Sequence, residues 1–313
     1  MKTNTLFQPT PSPYRSDLAR PQQLVSASSL ASLLAASHGA WRVLEVGTGA
    51  PADYLRGHIP RAGYLDTAEL ECAPLWNKVD DDALLACLLA HGIGHDTTVV
   101  LYSRNLVAAA RAAHLMLYAG VGDVRLLDGG FTLWEQGGYP LERGAARPVL
   151  AASEFGLPFP ACPHYLIDTA QARSLLAAPA GVLASIRTYE EFTGQTSGYC
   201  YITARGEIAG ARWGHAGAAG DVNSMSDFHQ ADGSMKPACE IAALWARAGI
   251  RPDRDVAFYC GTGWRASLAF FYAWLMGWER ISVYDGGWYE WSRDSSNPVV
   301  NGYNASLIPT AGL

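Results

Sequence analysis

Apolar positions along the chain recur with two periods, and the two alternate. Short runs rich in β-branched and aromatic residues read as strands: RVLEV (42–46), TTVVLYS (97–103), VRLLDGG (124–130), GVLAS (181–185), DVAFYC (255–260) and ISVYDGG (281–287). Between them lie stretches with helical spacing, among them SLASLLAA (29–36) and QARSLLAA (171–178). In ACEIAALWARAGI (238–250), Ile241, Leu244, Trp245 and Ala248 fall on one helical face. Strand, helix, strand in this order predicts an α/β fold of mainly parallel sheets flanked by helices on both faces. Ligands of such sheets bind at the carboxyl ends of the strands.

The pattern occurs twice. DGGFTLW (128–134) reappears as DGGWYEW (285–291), 157 residues later, and at the same offset residues 99–120 lie over residues 256–277. Upstream, GHIPRA (57–62) matches GEIAGA (206–211), and LVSASSLASLLAA (24–36) matches LIDTAQARSLLAA (166–178). A unit of roughly 130 residues is too long for a solenoid repeat and predicts two similar domains. The segment RGAARPVLAASEFGLPFPACP (143–163) has four prolines and no clear period. The expected organisation is a first domain over 20–145, a linker over 146–163 and a second domain over 164–313.

Composition adds exclusions. Of the 313 residues, 49% are hydrophobic and 17% charged, and no apolar run approaches the length needed to span a bilayer. The first forty residues hold no continuous apolar stretch, so no signal peptide is expected. A net charge of −6 argues against nucleic acid or an anionic membrane as partner. The six cysteines (72, 87, 162, 200, 239 and 260) include no C-x-x-C pair and no Cys/His spacing of a zinc site. The expectation is a reduced, cytoplasmic protein without metal or cofactor, its cysteines mostly small buried hydrophobes.

Cys260 is the exception. It ends a strand and opens CGTGWR, after which ASLAFFYAWLM reads as a helix. A helix N-terminus leaves amide N–H groups unpaired and carries partial positive charge. Gly261 and Gly263 let the turn curl so that successive amides, with Thr262 among them, point inward as a nest for an anion. A thiol at the centre of such a nest is favoured as thiolate and becomes a nucleophile.

CGTGWR, together with GHIP-x-A, DGG-x-x-x-W and the duplication, resembles the tandem-domain rhodaneses, the thiosulfate and 3-mercaptopyruvate sulfurtransferases. The resemblance runs from about Leu24 to Asn301. It implies that the second domain alone is catalytic, with Cys260 cycling through a persulfide. It also implies small sulfur donors and thiol or cyanide acceptors, with a protein sulfur acceptor as a further candidate. The first copy carries Ser103 where the second has Cys260, and RNLVAA after it lacks glycine, so the first domain is expected to be non-catalytic. Related phosphatases place five residues between Cys and Arg; here four separate Cys260 from Arg265, a tighter ring suited to a single sulfur.

Three departures from the family pattern shape the remaining expectations. The strand end L-x-D-x-R reads Leu183, Ala184, Ser185, Ile186, Arg187, so Ser185 replaces an acid. Two-domain relatives often carry a substrate Arg four residues beyond Arg187, and here that position is Glu191. They usually end the turn in Thr, and here it ends in Arg265. The last two changes are complementary, so a Glu191–Arg265 pair is expected to brace the turn. Arg187 is read either as a substrate ligand or as structural. Trp264 is a candidate pocket wall, and Arg205 and Arg212 are candidates for drawing the anion. His58 either fixes a turn of its own domain or faces the second domain's site; Asp53 is a lesser candidate there. Thiosulfate is the expected donor, with 3-mercaptopyruvate the alternative; a non-turnover sulfur carrier or redox-sensing module is the reading from another class.

Overall fold

In the computed structural model, residues 15–36, 41–145 and 148–301 are described. The first two linker positions and the end of the expected second domain, 302–313, lie outside them. Five strands of the first copy, β1 (Leu24–Val25), β2 (Trp41–Gly47), β3 (Gly63–Asp66), β4 (Thr98–Tyr102) and β5 (Asp123–Leu127), form a sheet in the order β1-β5-β4-β2-β3. The second copy supplies β6 (Leu166–Ile167), β7 (Gly181–Ser185), β8 (Arg212–Trp213), β9 (Asp255–Tyr259) and β10 (Ile281–Tyr284), in the order β6-β10-β9-β7-β8. Every pairing within the two sheets is parallel, and the second order reproduces the first strand for strand. The duplication seen in the sequence is therefore a duplication of topology.

Alternation along the central strands separates two apolar layers on each sheet. Val99 and Leu101 face one layer, Val100 and Tyr102 the other; Val256 and Phe258 oppose Ala257 and Tyr259 in the same way. Helices α1 (Ala27–Ala36), α2 (Ala52–Arg56) and α5 (Gly130–Gln136) cover one face of the first sheet. Helices α3 (Asp81–Ala90) and α4 (Leu106–Ala119) cover the other. In the second copy, α6 (Thr169–Ala177) and α10 (Gly287–Trp291) lie opposite α8 (Ala238–Arg247) and α9 (Trp264–Leu275). Ile241 and Trp245 of α8 are buried, with Leu244 and Ala248 against the same core.

Helices α4 and α9 are buried on nearly all sides, because each packs on its own sheet and on the other helix. Their apolar layers merge into one core that runs through both domains. Residues 148–162 carry no helix or strand, yet they are tied down: the amides of Ala161 and Cys162 donate to the carbonyls of Ala119 and Tyr118 at 3.0 Å each. No helix among the described residues is long and apolar enough to cross a membrane.

The two DGG turns hold the halves together by a reciprocal exchange. Asp285 accepts the Lys78 amide of the first domain at 2.8 Å, and Asp128 accepts the Met235 amide of the second at 2.8 Å. The last glycine of each turn has positive φ, 60° at Gly130 and 54° at Gly287. A Cβ at Gly287 would stand 2.6 Å from the carbonyl oxygens of Cys260 and Gly261, and one at Gly130 would stand 2.8 Å from that of Ser103. The close approach lets α10 cap the Cys260 turn: Trp288 N–H donates to the Cys260 carbonyl at 2.8 Å and Tyr289 N–H to that of Gly261 at 3.1 Å.

The exchange is not equal in consequence. Asp285 also pairs with the buried Arg111 at 2.6 Å, so Asp285→Ala is expected to lower stability by about 3–5 kcal/mol, the cost of stranding a buried charge. Asp128→Ala leaves a backbone amide unpaired and is expected to cost about 1–3 kcal/mol. Urea titration of the two variants measures the difference; equal losses would contradict it.

Candidate active site

The candidate site is the turn between β9 and α9. Cys260, 1% exposed, ends the strand, and the Gly263 amide donates to its Sγ at 3.2 Å. Gly263 is the N-cap of α9 with φ 98°, the left-handed region that favours glycine. Gly261 has a different reason to be glycine. The Tyr199 ring lies so close that a Cβ there would meet it at 2.4 Å. The curl thus comes from Gly263, and Gly261 makes room for a tyrosine. Thr262 is buried, with the Tyr201 side chain near it. Cys200, between the two tyrosines, is exposed.

Glu191 and Arg265 meet in a buried two-pronged pair, Nη1 to Oε2 at 2.8 Å and Nη2 to Oε1 at 2.9 Å. Helix α7 (Tyr189–Phe192) fixes the acid. Thr188 and Glu191 form a capping box in which Glu191 Oε2 accepts the Thr188 amide at 2.9 Å. Burial works to raise the Glu191 pKa, but Arg265, with help from Arg187, outweighs it and holds the carboxyl below its ordinary value. Arg265 also donates to the Tyr199 hydroxyl at 2.9 Å, whose pKa burial drives far up despite that guanidinium. The pair therefore fixes both the start of α9 and the tyrosine that lies on Gly261.

The acid missing at Ser185 is replaced from elsewhere. Buried Glu207 accepts the Ser185 hydroxyl at 2.6 Å, the Tyr259 hydroxyl, the Ile208 amide at 2.7 Å and Arg187 Nη1 at 3.2 Å. Arg187 is itself fully buried. It donates to the Gly206 carbonyl at 2.8 Å, lies over the Trp288 ring at 5.0 Å and comes within 3.7 Å of Glu191. Its contacts are those of a structural residue.

Other sequence candidates lie in different settings. His58 is buried in its own domain, stacked on Tyr54 at 3.9 Å with Nδ1 at 2.9 Å from the Tyr54 carbonyl; these contacts fix a turn. Asp53 pairs with Arg56 on the surface. Arg212 donates to the Ala248 carbonyl at the end of α8, 2.9 Å away. Arg205 is exposed and makes no hydrogen bond or ion pair among the described residues. Trp264 does border a cavity, one of about 420 Å³ at the carboxyl ends of the first domain's strands, together with Glu45, Tyr64, Arg104 and Asn223. Its indole N–H donates to the first domain's Glu71 at 2.7 Å.

Among the described residues, one grouping has the donor types of a metal site. Glu69, Cys87 and His91 in the first domain offer ligand atoms within 4.8 Å of one another. They are hydrogen-bonded among themselves, His91 to Glu69 at 3.1 Å and Cys87 to Glu69 at 3.9 Å.

A buried thiol on a curled strand-to-helix turn, at the carboxyl edge of one of two duplicated parallel sheets, defines a class: tandem α/β proteins with a cysteine at the head of a buried helix. The Rhodanese-like domain family matches residues 28–137 and 168–294, and the chain belongs to that family, with two of its domains. Thiosulfate sulfurtransferase YnjE of Escherichia coli is 53% identical over 290 residues, 93% of this chain and 66% of that protein's length. Sulfur carrier protein TtuD of Thermus thermophilus is 30% identical, over 80% of this chain and 87% of its own. The crystal structure of YnjE superposes with a TM-score of 0.89 over 92% of this chain and 70% of that one. An anaerobic ergothioneine biosynthesis enzyme of Chlorobium limicola, solved with trimethyl histidine, is 37% identical with a TM-score of 0.87, covering 92% of this chain and 72% of its own.

The Glu191–Arg265 pair carries a quantitative expectation. Glu191→Ala and Arg265→Ala are each expected to cost about 3–5 kcal/mol, and the double variant far less than their sum. Because the folded pKa of Glu191 lies below its ordinary 4.5, the stability it contributes is present above that value and is lost as pH falls through the lowered one. Urea unfolding of the four proteins across acid pH measures both; strictly additive losses would mean the two side chains do not support each other.

Proposed function

We propose that the protein is a sulfurtransferase that moves the outer sulfur of thiosulfate to a thiophilic acceptor, cyanide or a thiol, through a persulfide on Cys260. The observation that carries this reading is the turn itself, a thiol facing the Gly263 amide at 3.2 Å at the head of a buried helix. Similarity to proteins named thiosulfate sulfurtransferases supports it. In the first step the Cys260 thiolate attacks the outer sulfur of thiosulfate, the S–S bond breaks, and sulfite leaves with the electron pair. In the second, the acceptor attacks the outer sulfur of the persulfide and the S–S pair returns to Cys260 as thiolate. The amide dipoles at the head of α9 favour the negative charge that passes between Sγ and sulfite.

The donor follows from the charges around the turn. Glu191 stands where 3-mercaptopyruvate enzymes of the family bind the substrate carboxylate with Arg, and the guanidinium groups of Arg187 and Arg265, in the same domain as the turn, are buried in pairs of their own. Thiosulfate asks for less, since sulfite can be held by the amides, with exposed Arg205 the candidate for drawing the anion. Cys260→Ser is expected to abolish turnover, and thiosulfate to give the higher kcat/KM. A tenfold preference for 3-mercaptopyruvate, about 1.4 kcal/mol, would overturn the donor; retained activity in Cys260→Ser would overturn the nucleophile. Stalling after a single turnover with thiosulfate and cyanide would favour a carrier role, as in the relative named a sulfur carrier.

A second reading concerns the acceptor. EanB has been solved with a persulfide on its cysteine in a tetrahedral intermediate state with ergothioneine, and as variants at a threonine two residues after that cysteine and a tyrosine 59 residues before it. Thr262 and Tyr201 stand at the same spacings from Cys260. Both side chains lie close to Cys260, which supports an imidazole such as hercynine as an alternative acceptor. Sulfur-loaded protein is then expected to convert hercynine to ergothioneine, and Tyr201→Phe to lose that conversion while keeping cyanide turnover. Mass spectrometry of the small-molecule fraction reads the outcome, and no ergothioneine from wild type would remove this reading.

A further inference from the structure

The first domain reaches the Cys260 turn through two buried charged residues that the steps above do not use. Arg111, fully buried in the middle of α4, donates through Nε to Glu71 Oε1 at 2.7 Å and through Nη2 to Asp285 at 2.6 Å. Its Nη1 has no partner among the described residues and lies 3.1 Å from where a Cβ on Gly263 would stand. The second oxygen of Glu71 accepts the Trp264 indole N–H at 2.7 Å. Two successive residues of the turn, Gly263 and Trp264, therefore rest on one ion pair supplied by the other domain.

The duplication provides an internal control. At the offset that superposes α4 on α9, the residue in Arg111's place is buried Leu268. Lys78 and Met235 are counterparts, since each gives its amide to the DGG aspartate of the opposite domain. The ladder partner of Lys78 is Glu71, and the bridge partner of Met235 is His229. Burial pulls the His229 pKa down to about 4, so it is neutral, and it bonds the Tyr272 hydroxyl at 2.8 Å. The counterparts of the ion pair, on the side of the Ser103 turn, are thus a leucine and a neutral histidine. Apolar residues of similar volume often fill a buried site as stably as an ion pair does. Packing alone does not call for Glu71 and Arg111.

We infer that Glu71 and Arg111 are positioning residues for the reaction at Cys260: through Trp264 and Gly263 they hold the turn so that its amides face Sγ, and the negative charge of Glu71 maintains that hold. The inference rests on the reading of Cys260 as the nucleophile. Burial pushes the Glu71 carboxyl up to about 7, against the opposing pull of Arg111 and the Trp264 N–H, with Asp285 adding to the rise. The other charged or titratable groups facing it are Tyr201, before Glu207 in the chain, and Lys78 on its own ribbon, whose Nζ is engaged by Asp81 at 2.6 Å. As pH falls below about 7 the carboxyl becomes neutral and the indole loses a charged acceptor.

The rate of Cys260 alkylation by iodoacetamide, followed by peptide mass mapping across pH, reads the turn without any sulfur donor. Wild type is expected to show an inflection near pH 7 that Glu71→Gln lacks. Arg111→Leu, which installs the counterpart residue, is expected to slow alkylation about tenfold. In a Trp264→Phe background, adding Glu71→Gln is expected to have a smaller effect than in wild type, because only the path through Arg111 and Gly263 remains. Superimposable profiles for wild type and Glu71→Gln would overturn the inference, as would a lowered melting temperature with an unchanged profile. Thiosulfate turnover measured on the same samples keeps the two readings apart: a wild type that alkylates as expected but turns over no sulfur contradicts the sulfurtransferase reading alone.

Discussion

The shape of the Cys260 turn depends on charge buried beside it. Within its own domain, Arg265 is gripped by Glu191 through two bonds of 2.8 and 2.9 Å, and the carboxylate is fixed in turn by the capping box of α7. That arrangement anchors α9 at its second residue and leaves the amide of its N-cap, Gly263, free to face the thiol. An uncompensated charge in this place would be strongly destabilising, whereas a two-pronged pair with a third bond to Tyr199 is geometrically specific. The helix cannot rotate without breaking three charge-assisted bonds, and the Cys260 thiol keeps its setting for that reason.

The rest of the fold brings these groups together. Parallel sheets put both strand-to-helix turns at the carboxyl edges, and α4 and α9 bury themselves against each other so that each domain's turn abuts the other domain. The DGG aspartates lock this arrangement by exchange, and the glycine that follows lets α10 approach the turn's carbonyls. A chain with one copy would leave α9 with an exposed apolar face and the turn without its neighbour. The first domain, which carries Ser103 in place of the thiol, thus supplies packing and contacts to the Cys260 turn.

Much of this was legible in the residues. The repeat made the two sheets readable as one topology, because the same succession of elements occurs twice. The Glu191–Arg265 contact was legible as two complementary departures from one family pattern. What the sequence did not reveal came from residues whose partners are distant in the chain. The acid lost at Ser185 is supplied by Glu207, in the segment GEIAGA, which the sequence reading did not single out; its counterpart in GHIP-x-A, His58, serves a turn of its own domain, one of the two readings left open for it. Arg111 did leave a signal, a lone charge in an apolar helix aligned with Leu268. Its partners Glu71 and Asp285 come from a ribbon and a turn that spacing alone does not bring together. Gly261 was read as a source of curl; its neighbour Tyr199, in an irregular segment, explains it instead.

If the turn, and not thiol exposure, selects the thiol that takes up sulfur, the sulfur lands on Cys260. Cys72, Cys200 and Cys239 are exposed, whereas Cys260 is buried, so reaction by accessibility and reaction by setting predict different sites. Mass spectrometry of the intact chain and of its peptides after brief exposure to thiosulfate distinguishes them. Selection by the turn predicts a gain of one sulfur atom, located on the Cys260 peptide and removed by cyanide. Sulfur spread over the exposed cysteines, or carried by Cys200 with Cys260 unmodified, would contradict it.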